Sequence, residues 1–185
     1  MCEKPITTTL EEAESLAQLM ASSDQAFAVA HTYTGYPMVR QLRQMIQAGV
    51  IGQIQKIDAQ YYQGWVNEVL HDEESRQSVW RLKPALAGPS CCFGDIGVHA
   101  FNLVEFTTGL RIQQVLAETD TFNSGNSLDV DGTALFKTEC GVRGLIRASQ
   151  IATGEENNLS IAIYGRLGAL TVSYTHLTLP TILLV

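Results

Sequence analysis

After Gly52 the hydrophobic pattern of the chain changes period, and that change sets the class of fold. In IQKIDAQYYQGW (54–65) the apolar or aromatic Ile57, Ala59 and Tyr61 alternate with Lys56, Asp58 and Gln60, the pattern of a strand with one wet face. Ile54 falls out of that phase, which places the strand start after it. The segments 113–122, 131–139, 141–152 and 159–165 alternate in part and are separated by Gly, Asn, Ser and Asp, so they read as antiparallel strands. Before Gly52 the patterns are helical or fully apolar. Thr9, with Glu12 three residues on, makes a capping box for a helix carrying Leu16, Leu19 and Met20 that ends over 22–25. AFAVAHTY (26–33) lacks alternation and predicts a strand buried on both faces of a parallel sheet. Pro37 opens a second helix with Val39, Leu42, Met45 and Ile46 on one face, closed by Gly49.

The chain is therefore expected to be α/β (α+β). A helix-strand remnant over 1–33 precedes an open, mostly antiparallel sheet domain over 34–170 with helices on one face. The helix over 37–48 is placed to pack on the remnant. The stretch 66–90 is polar and irregular, the expectation for a surface excursion beside a site. A further helix starts near Asp95 and ends near Gly109.

Composition narrows the function. With 185 residues, 45% hydrophobic and 17% charged, the chain can bury a core, which excludes disorder. Twelve Lys+Arg against nineteen Asp+Glu give a net charge of -7 without a basic cluster, so no nucleic-acid partner is expected. Cys2, Cys91, Cys92 and Cys140 form no CxxC and follow no secretory signal, which points to a reducing, cytoplasmic setting. Residues 167–185 lack Asp, Glu, Lys and Arg, yet Thr171, Ser173, Thr175, His176, Thr178, Pro180 and Thr181 argue against a membrane span.

The sharpest chemical signal is GDIGVHAFNLVEFTTG (94–109). On a helix Asp95 and His99 share a face one turn apart, with Asn102 a turn further, so the carboxylate can fix the tautomer of a proton-transferring imidazole. The plainer reading is a capping Asp and a core or surface His. Glu3-Lys4-Pro5 is a second candidate, a lysine placed where open α/β sheets bind ligands, against the plainer reading of a solvated surface lysine. His71, Asp72, Glu73 and Glu74, or Cys91, Cys92 and His99, could ligate a metal, but neither set has the spacing of a zinc or calcium loop, and no metal is expected. Cys91 and Cys92 precede a helix N-terminus, a place that can lower a thiol pKa; tight packing of small residues under a site is the simpler account. No GxGxxG and no GxxxxGK[ST] occurs.

Taken in order, CEKP, HTYTGYPMVRQLRQMIQAGVIGQIQKI, WRLKPALAG and GDIGVHAFNLVEFTTGL, the sequence resembles the Gfo/Idh/MocA family of NAD(P)-dependent oxidoreductases, the glucose-fructose oxidoreductase and inositol dehydrogenase group, from Cys2 to about Ala169. The resemblance implies an N-terminal Rossmann domain, of which 1–33 is the end, and a C-terminal α/β domain whose open sheet mediates homo-oligomerisation. It implies that Lys4, Asp95 and His99 are catalytic, that Glu3, Lys4 and Pro5 border the NAD or NADP cofactor, and that Tyr33, Trp80, Arg81 and Lys83 border a sugar, cyclitol or polyol substrate. Pro5 matches a proline preceded by a cis peptide bond. The implied reaction is reversible hydride transfer, with His99 moving the hydroxyl proton, Asp95 orienting it and Lys4 polarising the oxygen.

Two departures qualify that implication. The family's GxGxxG unit lies upstream of EKP, so this chain is expected to be a fragment with no dinucleotide affinity of its own. Residues 171–185 resemble a frameshift or adapter-derived tail rather than the family. The competing expectations are a non-catalytic dimerising module with vestigial site residues, and a metal enzyme using His71, Asp72, Glu73 and His99. Truncation also predicts uncovered apolar faces over 10–46.

Overall fold

The computed structural model of the chain describes residues 1–70, 79–122, 128–173 and 183–184. Helix α1 (Leu10–Ala21) opens with the expected capping box: Thr9 Oγ1 accepts from Glu12 N at 3.2 Å and Glu12 Oε2 accepts from Thr9 N at 3.2 Å. It buries none of its residues, leaving Leu10 and Leu19 in solvent. The apolar run after it is not a strand. Val29 makes one parallel bridge to Cys2, and the chain then tightens into a 3-10 turn over Thr32–Gly35. A strand needs backbone partners along its length, and among the described residues only the Cys2 segment offers them.

Helix α2 (Pro37–Gln47) starts at Pro37 as expected and buries Val39 and Leu42 in the sheet domain's core, with Tyr33 packed against the same cluster. Strand β1 (Ile54–Tyr62) begins at Ile54. The pairing with β5 slips between Ile54 and Lys56, which accounts for the residue out of phase. The described parts of the excursion that follows, 66–70 and 79–90, are more regular than its composition suggests. They contain α3 (Trp65–Leu70), a 3-10 turn over Trp80–Leu82 and the one-turn helix α4 (Pro84–Ala87), and Val66 and Leu82 are buried with Cys91, Leu128 and Val130 in a small second core. A π-type turn over Phe93–Gly97 leads into α5 (Val98–Thr108), which ends at Gly109 in the left-handed conformation.

Strands β2 (Ile112–Asp120), β3 (Asp131–Thr138), β4 (Arg143–Ser149), β5 (Asn158–Gly165), β6 (Gly168–Ser173) and the short β7 (Leu183–Leu184) complete a sheet ordered β2-β3-β4-β1-β5-β6-β7. All pairs are antiparallel except β1 with β4, which runs parallel from Lys56–Arg143 to Tyr62–Ser149. The sheet thus continues through Ser173, three residues into the segment expected to depart from the fold. Residues α2 and α5 direct inward, among them Leu42, Leu103 and Val104, meet Ile57, Ala59, Ile146, Ile161 and Ile163 on one sheet face. Gly144 makes the parallel joint possible: a Cβ there would overlap Phe136 Cζ and the backbone oxygen of Ile57. Among the described residues, no helix is long and apolar enough to cross a membrane.

Candidate active site

Because β1 and β4 are parallel, their carboxyl ends emerge together, and the turn before α5 packs over that edge. This turn is held by Asp129, which is 9% exposed. Its carboxylate accepts from Cys91 N at 2.8 Å and Phe93 N at 2.7 Å, and its carbonyl accepts from Cys92 N at 2.9 Å, satisfying donors that have no partner within the helix. Ser90 Oγ accepts from Gly94 N at 2.8 Å. Asp95 is thereby fixed within the wide turn.

The Lys4–Pro5 peptide is cis, and Lys4 reaches across to that turn. Lys4 Nζ pairs with Asp95 Oδ1 at 2.8 Å and also donates to the Asp95 carbonyl. The two side chains are 15% and 23% exposed, so the pair is screened less than a surface ion pair. Asp95 Oδ2 accepts from Gln150 Nε2 at 3.1 Å and pairs with Arg81 Nε at 3.3 Å. The expected hydrogen bond from His99 to the Asp95 carboxylate is not what the structure shows. The π-type turn takes Asp95 off the helix register, and its oxygens are taken by Lys4, Gln150 and Arg81.

His99 is 7% exposed. The Tyr33 ring stands edge-on to it at 4.7 Å, with His31 at 6.0 Å and Tyr61 at 6.1 Å. Burial, then the Lys4 charge, then His31 push the imidazole down to about 4, with Asp95 acting the other way. Burial and Lys4 also lower His31. A neutral imidazole is what a proton acceptor requires. From Tyr33 a polar string leads outward: its hydroxyl meets that of Tyr61, Tyr61 donates to Asn157 Oδ1 at 2.8 Å, and Gln63 Nε2 donates to the same oxygen at 2.8 Å.

A cavity of about 480 Å³ opens beside the ion pair, with Glu3, Lys4, Pro5, Trp80, Arg81 and Asp95 in its walls. The Arg81 guanidinium lies 4.6 Å above the Trp80 ring. His99 and Tyr33 stand behind the pair rather than in the cavity wall, and Lys83 is exposed outside it. The thiols do not follow the helix N-terminus: burial and the Asp129 charge push Cys91 up to about 12 and raise Cys92 further, so neither is a reactive thiolate. His71, Asp72, Glu73 and Glu74 lie outside the described residues, and among those described no cluster suits a metal ion. Sequence reasoning missed Asp129, His31, Tyr61 and Gln150. For Gln150 a signal existed: it continues the inward phase of Gly144, Ile146 and Ala148, where an amide is out of place.

Residues 39–171 match the model of the GFO/IDH/MocA C-terminal domain. The chain belongs to the GFO/IDH/MocA family. Among curated GFO/IDH/MocA-like relatives, it is 29% identical over 167 residues to the uncharacterized oxidoreductase YfiI of Bacillus subtilis (strain 168), covering 89% of this chain and 42% of that protein. It is 26% identical over 197 residues to levoglucosan dehydrogenase of Pseudarthrobacter phenanthrenivorans, covering 94% and 49%. Of solved structures, an inositol dehydrogenase homolog complexed with NAD+ from Azotobacter vinelandii superposes with a TM-score of 0.87 at 29% identity, over 99% of this chain and 50% of that one. The chain thus spans half or less of the length of these relatives.

Proposed function

We propose that the chain is the substrate-facing part of an NAD(P)-dependent dehydrogenase acting on a sugar, cyclitol or related polyol. The observation that carries this reading is the Lys4–Asp95 ion pair in the wall of a cavity, with neutral His99 close behind it, on a domain of this family. The relatives' names support the substrate class, levoglucosan in one case and inositol in another. In this assignment residues 1–33 belong with a dinucleotide-binding half and residues 34–170 form the substrate and oligomerisation domain.

The cavity's donors fit the nicotinamide and hydroxyl end of such a reaction: Lys4 and Arg81 offer N–H groups, and Pro5 and Trp80 offer flat apolar walls. Nothing in this chain's sequence supplies a Gly-rich turn for a diphosphate. Nicotinamide, when bound, supplies the hydride acceptor or donor. Lys4 binds the reacting oxygen and stabilises negative charge on it. Asp95 holds Lys4 in place. His99 takes the hydroxyl proton during oxidation and returns it in reduction. Arg81 and Trp80 orient the remaining hydroxyls, and Tyr33 buttresses the imidazole.

The test is NAD(P)-linked oxidation of a polyol panel by the full-length protein and its His99→Ala variant. Turnover that falls by a factor of about 100 or more in the variant supports the assignment. Unchanged turnover refutes the role of His99, and no turnover on any polyol with either cofactor favours a non-catalytic dimerising module.

A further inference from the structure

Gln150 is fully buried, and burying an amide is unfavourable unless both of its ends are hydrogen-bonded. Both are. Nε2 donates to Asp95 Oδ2 at 3.1 Å, and Oε1 accepts from the Cys91 thiol at 3.1 Å. The main chain is fixed as well, with Gln150 N donating to Val130 O at 2.8 Å and Gln150 O accepting from Val66 N at 3.0 Å. The residue therefore joins the end of β4 to the segment before β3, to α3 and to the turn that carries Asp95.

An amide in such a slot can face two ways, and the flipped one sets Oε1 against a carboxylate. Cys91 selects between them. Its buried thiol donates to Oε1, and because sulfur is a poor acceptor for an amide N–H this pairing is favoured over the flipped one, which turns Nε2 toward Asp95. Asp95 Oδ1 is then left for Lys4. The other partner of Oδ2 is Arg81, whose side chain is 43% exposed and shared with the Trp80 ring, so it restrains the carboxylate poorly.

We propose that Gln150 is a positioning residue that holds the Asp95 carboxylate in register with Lys4, and that the Cys91 thiol sets the direction of its amide. The kinetic part of this proposal rests on the dehydrogenase reading; the geometric part does not.

Two readouts on the full-length protein separate them: the rate of reductive methylation of Lys4 at fixed pH, followed by mass spectrometry, and steady-state kinetics with a polyol. Gln150→Met removes the donor and keeps the shape. It is expected to raise Lys4 methylation roughly three-fold or more and to lower kcat roughly ten-fold while KM stays within about two-fold, because a displaced positioning group weakens the transition state more than substrate binding. Cys91→Ala should move both in the same direction and Cys91→Ser, which keeps a donor, should restore them. If Gln150→Met loses its cooperative melt, the Cys91 pair decides. Folded Gln150→Met and Cys91→Ala proteins that are methylated at the wild-type rate overturn the proposal. A wild-type protein that oxidises no polyol, but whose Lys4 still responds to Gln150→Met, refutes the dehydrogenase reading and leaves the positioning role standing.

Discussion

An imidazole enclosed by two tyrosines and a second histidine, with a lysine charge nearby, stays neutral until the solution is acidic. His99 falls from the ordinary 6.5 to about 4, so between those values the unfolded chain binds a proton that the folded one does not. Stability from this residue is complete above pH 6.5 and is lost as pH falls toward 4; His31 adds in the same direction. Denaturant midpoints measured from pH 7 to 4 should fall along this limb, and the fall should be shallower in His99→Phe. Under the dehydrogenase assignment the acid limb of kcat/KM for oxidation should lie near pH 4, and Lys4→Met should move it toward 6.5 because it removes a positive charge that disfavours the imidazolium. A limb that stays put in that variant would contradict the electrostatic link between the two residues. Lys4 and His99 stand out in the sequence because each lies in a short recognisable motif. The true partner of Asp95 was not legible, because Lys4 lies 91 positions away and spacing along one helix pointed to His99 instead.

At the scale of elements, the turn before α5 depends on one buried carboxylate. Asp129→Ala would leave Cys91 N and Phe93 N without their acceptors and should destabilise the protein by about 2 kcal/mol, read from urea unfolding; Asp129→Asn keeps one acceptor and should lose less. Gly144→Ala should be more severe, since its Cβ meets both Phe136 and the backbone of β1, and soluble cooperative folding at wild-type stability would show that the joint can open. Helices with local caps were readable in advance, as Thr9 and Glu12 show. So were strands with one wet face, because period two survives in the residues themselves. The run at 26–33 has the composition of a central strand, but among the described residues it meets a single bridge's worth of neighbour. The π-type turn left no trace in the hydrophobic pattern, since Ile96 is buried just as an α-helical register also predicts.

At the scale of the molecule, the sheet face opposite α2 and α5 carries Leu116, Leu135 and Leu145 in one cross-strand row, with Leu116 73% and Leu135 54% exposed. On the same face Asp58 Oδ1 and Arg147 Nε are buried without hydrogen-bond partners. We propose that a second copy of the sheet covers this face, since soluble monomers rarely leave such a row open. Light scattering should find an oligomer, and Leu116→Glu with Leu135→Glu should dissociate it; a wild-type monomer would refute the arrangement. The parallel joint has a further consequence, for the order of assembly. β2 with β3, β3 with β4, and β5 with β6 are near neighbours along the chain and can close as hairpins at small entropic cost. β1 is synthesised before all of them, yet it must wait to pair Lys56 with Arg143 and Ile57 with Ile163. The strand that opens the sheet is therefore expected to be the last one zipped into it, and the candidate active site, which hangs on the ends of β1 and β4, should mature only at that final step.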